Sequence, residues 1–142
     1  RTVSFLYKDK VSLKALIEEQ ALDCTVPYLI RIYTAIASRP AGPELQAQFP
    51  QAQIIGCSAS GVIFQDQQYS DQTLVLIDDY EKAHFQTAFF TWKNKSAAEI
   101  GRELAAFANR AEAQLMHALC SDHYYDIHAC IEAFNHSNST TK

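Results

Sequence analysis

The stretch Gln53-Ile54-Ile55-Gly56-Cys57-Ser58-Ala59-Ser60-Gly61-Val62-Ile63 constrains this chain more than any other. A short apolar run, Ile54 and Ile55, meets a glycine, continues through small residues and reaches a second glycine, the pattern of a buried strand that ends in a tight loop. Small residues let backbone N–H groups come close to a ligand, and Cys57, Ser58 and Ser60 add a thiol and two hydroxyls. The bland reading of the same stretch is a strand connection that uses glycine for positive φ.

Before this stretch, Val3, Phe5 and Tyr7 alternate with Ser4 and Leu6 as in a short strand, and Lys8-Asp9-Lys10 makes the turn after it. Ser12 is the expected N-cap of a helix whose Leu13, Leu16, Ile17 and Leu22 recur at helical spacing. Pro27 precedes an interior strand over Tyr28 to Tyr33 that ends at Thr34. Ser38 to Pro43 is turn-like, and Pro43 opens a short helix closed by Phe49-Pro50.

After the stretch, Gln65 to Gln72 is polar and reads as an exposed loop. Leu74 to Ile77 is an apolar strand, and with Phe85, Thr87 and Phe89 beyond a charged turn it predicts an antiparallel hairpin. Ser96 and Glu99 form a capping box for the longest helix, with Ile100, Leu104, Phe107, Ala108 and Ala111 on its apolar face. Gln114 to Cys120 fits either an extension of that helix or another buried strand. Asp126 caps a last helix with Ile127, Cys130, Ile131 and Phe134 on one face. The pattern gives an α/β fold, a mixed sheet with flanking helices and one antiparallel hairpin.

The chain has 142 residues, enough for one domain with a real core, expected over residues 1–136 with a frayed polar tail over 137–142. Its net charge of −4 argues against a nucleic-acid partner, and no apolar run is long enough to cross a bilayer or to form a secretory signal. The four cysteines, Cys24, Cys57, Cys120 and Cys130, are spread widely and suit reduced thiols, so the chain reads as cytoplasmic. A start at Arg1 suggests a piece of a longer protein.

Three expected strands end in small or polar residues, at Thr34, at Gly56-Cys57-Ser58 and at Ser121-Asp122. Were they parallel neighbours, their ends would meet on one edge, the usual ligand position in open α/β sheets. Arg31 reaches that edge only if its side chain faces it. Ordinary strand termination is the competing reading for Thr34 and Ser121. Cys57 as a nucleophile is the enzymatic alternative, but no histidine stands in a context that points to it, and Ser58 lacks the second glycine of a nucleophile elbow. Cys120, His123, His128 and Cys130 are zinc-like ligand types, yet Cys130 sits on an apolar helical stripe and reads as core, so neither a metal nor a cofactor is expected.

Phe49-Pro50, the Ile54 to Ile63 stretch and the later strand Leu74-Val75-Leu76-Ile77 together resemble the N-terminal region of FIST domains. Tyr28 to Thr34 resembles the preceding family strand, and Ser121-Asp122 a later small-acidic step. Val62 departs from the family, which often carries an acidic residue after the second glycine, and the family's later glycine-rich part lies beyond this chain. The resemblance implies a bacterial sensory domain that binds a small polar metabolite such as an amino acid. It would pass that state to an output module such as a histidine kinase, diguanylate cyclase or chemoreceptor. The expected ligand residues are Gly56, Cys57, Ser58, Ser60 and Gly61, with Thr34, Ser121 and Asp122 behind them. Besides the thiol enzyme, the alternative is a ligand-free interaction domain or homodimer using the Phe85 to Trp92 edge.

Overall fold

A computed structural model describes residues 1–35, 41–81, 83–119 and 126–138. It contains six strands and four helices among these residues: β1 Thr2–Tyr7, α1 Lys10–Glu19, β2 Leu29–Ala35, α2 Gly42–Gln48, β3 Gln53–Ala59, β4 Val62–Phe64, β5 Gln67–Tyr69, β6 Thr73–Asp78, α3 Ala97–Arg110 and α4 Ile127–Ser137. The chain divides into two compact units, Arg1–Thr87 and Ala88–Lys142. None of the described helices is long and apolar enough to cross a membrane.

The first unit is built on a four-stranded sheet in the order β1-β6-β2-β3. β6 runs antiparallel to both of its neighbours, whereas β2 and β3 are parallel, so β1, β2 and β3 all point the same way. The fold is therefore the α/β arrangement with a mixed sheet that the sequence implies.

Strand alternation gives the sheet one core face. Val3, Ile77, Ile30 and Ile54 form one row across it, and Phe5, Val75, Ile32 and Gly56 the next. Leu13 of α1 and Leu45 of α2 pack into this core, as does Phe49, which meets the Tyr28 ring edge-on at 5.7 Å between centroids. On the opposite face Asp78, only 1% exposed, accepts from Arg31 Nε at 2.7 Å and from the Thr2 hydroxyl at 2.7 Å. That bridge ties β1, β2 and β6 together and takes up the Arg31 guanidinium.

Several expectations are corrected. α1 is capped by Asp9, whose extended backbone lets its carboxylate accept from Ser12 N at 2.8 Å; Ser12 is the reciprocal member of the capping box, not the N-cap. An antiparallel hairpin is present, but it joins β4 to β5, and β5 with its turn lies in the polar stretch expected to be a loop. Phe85 to Phe89 forms no strand, because β6 already has β1 on one side and β2 on the other. Residues 114–119 are neither helix nor strand: α3 ends at Arg110 with Ala111 as its C-cap, and Glu112 takes a left-handed φ of 51°.

In the second unit, Ser96 and Glu99 make the expected capping box, and Asp126 caps α4 by accepting from Ala129 N at 3.0 Å. Ile100, Gly101, Ala105 and Ala108 of α3 are buried, as is Cys130 of α4, while Ile127 and Ile131 are half exposed. The two helices touch at backbone level. A Cβ on Gly101 would stand 2.2 Å from the Cys130 carbonyl oxygen.

Candidate functional site

The core face changes chemistry at one end. After two apolar rows comes a third, Tyr7, Thr73, Thr34 and Ser58, in which every side chain carries a hydroxyl. This row lies at the carboxyl ends of β1, β2 and β3, the edge where open α/β sheets take ligands. The helices α1 and α2 follow β1 and β2 in the chain, so both begin at the same edge.

Accessibility grades along the row. Thr73 is 1% exposed, Tyr7 is buried, Thr34 is half-buried and Ser58 is exposed. The Thr34 and Thr73 hydroxyls are 2.7 Å apart and hydrogen-bonded. The Tyr7 phenol donates to Glu44 Oε2 in the first turn of α2. Burial, reinforced by Glu44 and by the charge of Asp9, pushes the Tyr7 pKa up to about 12.

The small residues stand in strand rather than in loop. Gly56, Cys57 and Ser58 all belong to β3, and only Ser60 and Gly61 lie between β3 and β4. No glycine among the described residues has positive φ. What Gly56 provides is close approach: a Cβ there would lie 2.6 Å from the Ile32 carbonyl oxygen on the adjoining strand. Gly61 has a milder version of the same constraint, 3.0 Å from the Tyr69 carbonyl oxygen of the hairpin.

Thr34 and Ser58 are register partners on β2 and β3, so the structure brings these two expected residues together. Cys57 pairs with Tyr33, and strand alternation turns it to the face opposite Ser58. Burial raises its thiol pKa, which reduces the thiolate available at neutral pH and weakens the nucleophile reading. Ser121 and Asp122, like Cys120 and His123, fall outside the described residues. Among the described residues, no group of three or more His, Cys, Asp or Glu side chains converges as a metal site.

Tyr7, Thr73 and Glu44 are the residues that sequence reasoning missed. The only signal in the sequence was that Tyr7 and Thr73 sit at strand ends, and their pairing depends on register between distant segments. Elsewhere, a shallow groove between α3 and α4 is lined by Ala98, Arg102, Ala129, Glu132, Ala133 and His136, none of them among the expected ligand residues.

The family model described as FIST N domain matches residues 32–141, from β2 through α4. No curated protein and no solved structure matches the chain.

Proposed function

From the FIST family, to which this chain belongs and whose members are sensory domains of signal transduction, we propose that it binds a small polar metabolite without transforming it. The ligand sits at the carboxyl edge of the parallel pair β2 and β3, and the bound state passes to an output module of a bacterial signalling protein. Amino acids are the first ligand class to test. The observation that carries this reading is the placement of Thr34 and Ser58 side by side where an apolar sheet face turns into a row of hydroxyls.

In this reading Ser58 and Thr34 supply side-chain hydrogen bonds. Gly56 lets β3 lie tight against Ile32, and Ser60 and Gly61 shape the exit of the strand. Cys57 lines the opposite face and contributes backbone. Ser121 and Asp122 enter this proposal from the sequence alone. A hydroxyl row without an activated nucleophile suits recognition: hydroxyls donate and accept, so they can match amides, carboxylates and alcohols alike.

A thermal-shift screen of the whole chain against amino acids and other small metabolites tests the proposal. A ligand at a hundred times its dissociation constant stabilises the fold by about 2.7 kcal/mol. Ser58→Ala should abolish most of that shift while leaving the unliganded melting temperature nearly unchanged. A hit whose shift survives Ser58→Ala together with Thr34→Val would remove the ligand from this edge.

A further inference from the structure

β3 is the last strand of the four-stranded sheet, and among the described residues no strand pairs with its outer side. Residues along a strand turn their backbone groups alternately to one neighbour and the other. The Gln53 amide donates to the Tyr28 carbonyl at 2.9 Å, so Gln53, Ile55 and Cys57 bond to β2. The N–H and C=O groups of Ile54, Gly56 and Ser58 therefore face outward. Gly56 and Ser58 are exposed, although Gly56 lies in the middle of the strand. The Thr87 hydroxyl meets β3 at its first residue, through the Gln53 side chain.

Sheet edges are ordinarily guarded by charge, proline or a bulge. β3 has none of these. Its register with β2 is continuous, and from Leu45 to Gln65 the chain carries no charged side chain and only Pro50, ahead of the strand. The other edge strand, β1, is flanked by Arg1 and by Lys8, Asp9 and Lys10.

The β3 edge also matches itself. When two copies run antiparallel with Gly56 opposite the partner's Gly56, Ile54 stands opposite the partner's Ser58 and Ser58 opposite the partner's Ile54. Every outward residue of β3 then exchanges its N–H and C=O with an outward residue of the partner, and any other register loses at least one such pair. Glycine at the centre keeps the symmetry axis free of side chains. An uncharged, self-complementary edge has no like charges to bring together.

We propose that β3 pairs with β3 of a second copy about a two-fold axis at Gly56, joining two four-stranded sheets into one. Directly opposed residues share a face of the sheet, so the partner's Ile54 stands beside Ser58 at the end of the hydroxyl row. Only the meaning of that last contact for a ligand rests on the reading of the β2–β3 edge as the ligand site.

The contact is small, so association is weak and depends on concentration. The whole native chain is followed by sedimentation equilibrium and by amide hydrogen exchange, from micromolar to millimolar concentration. Its mass should rise toward twice that of the chain. The amides of Ile54, Gly56 and Ser58 should gain protection in step, while those of Ile55 and Cys57, already bonded to β2, change little. Ser58→Pro removes an outward N–H without breaking a bond to β2 and should stay monomeric, with Ile55 and Cys57 still protected. Ser58→Ala keeps that N–H and should dimerise as the native chain does. A native chain that is monomeric at millimolar concentration overturns the proposal, as does a dimer whose Ile54, Gly56 and Ser58 amides exchange as in the monomer. Protection of these amides that does not vary with concentration would give the edge to another segment of the same chain and overturn it too.

Discussion

Gly56 is glycine because of its neighbour and not because of its own torsion angles. Ile32 on β2 presents its carbonyl oxygen 2.6 Å from where a Cβ would be, and a strand carbonyl cannot move aside as a flexible side chain can. Gly56→Ala should therefore destabilise the chain by about 1–3 kcal/mol, the usual cost of forced overpacking. Urea denaturation measures it, with the exposed Ser58→Ala as a control expected to change stability by less than about 0.5 kcal/mol. Equal stability of Gly56→Ala and the native chain would show that β2 and β3 can part at this point. Tyr7 makes a different prediction. Its folded-state pKa of about 12 exceeds the ordinary 10.0, so the unfolded chain loses this proton first as pH rises. The stabilisation is complete below about pH 10 and is lost on the way to about pH 12. Burial also raises the Tyr28 pKa, so the alkaline loss is read as a difference between the native chain and Tyr7→Phe. The two urea midpoints should converge between about pH 10 and about pH 12, and a gap that stays constant would place the phenol's contribution elsewhere.

At the level of elements, β6 holds the sheet together, and Asp78 at its end is the most committed polar group. It accepts from Thr2 on β1 and from Arg31 on β2 while being 1% exposed. Removing the carboxylate leaves a partly buried guanidinium unpaired, so Asp78→Leu should cost about 3 kcal/mol. Arg31→Leu added to it should restore part of that loss, since an apolar pair of similar volume is tolerated better than one stranded charge. If the double variant is no more stable than the single, the ion pair is not what Asp78 contributes. These ties also explain what could be read from the chain. The capping box of α3 and the Asp126 cap of α4 are local, each complete within four residues, and both were legible. The partners of β6 were not, because Thr2–Tyr7 and Leu29–Ala35 are distant in sequence, whereas Phe85 to Phe89 alternates nearby but forms no strand, reaching the sheet through the Thr87 hydroxyl, which donates to Gln53 of β3. The β4–β5 hairpin was hidden for another reason: its turn puts Gln65 and Asp66 at φ of 50° and 62° without the glycine or asparagine that usually marks such a turn. In the site, Thr34 and Ser58 were visible as residues that end strands, while Tyr7, Thr73 and Glu44 needed the register of the whole sheet.

Across the whole molecule, stability is distributed over two compact units, each with its own packing. The apolar cluster of the first unit runs from Val3 to Ile77 and draws on both helices that follow β1 and β2. The second unit centres on Ile100, Gly101, Ala105, Ala108 and Cys130, a much smaller set. Small cores have little margin, because the fraction of surface a unit can bury falls with its size. A substitution that separates α3 from α4 should therefore unfold the second unit before it disturbs the first. Gly101→Leu is that substitution, since even a Cβ would stand 2.2 Å from the Cys130 carbonyl oxygen and 3.0 Å from Ala133 Cβ. Hydrogen exchange resolves the outcome by position, because local and global opening protect amides to different extents. In Gly101→Leu, protection should collapse across Ala97–Arg110 and Ile127–Ser137, while the amides of Leu29–Ala35 and Thr73–Asp78 keep most of theirs. Equal loss in both sets would mean that the two units unfold as one, and the ligand edge at Thr34 and Ser58 would then answer to packing throughout the chain. Retained protection in β2 and β6 would instead leave that edge intact when the helical unit opens, so ligand binding could be measured with the second unit unfolded.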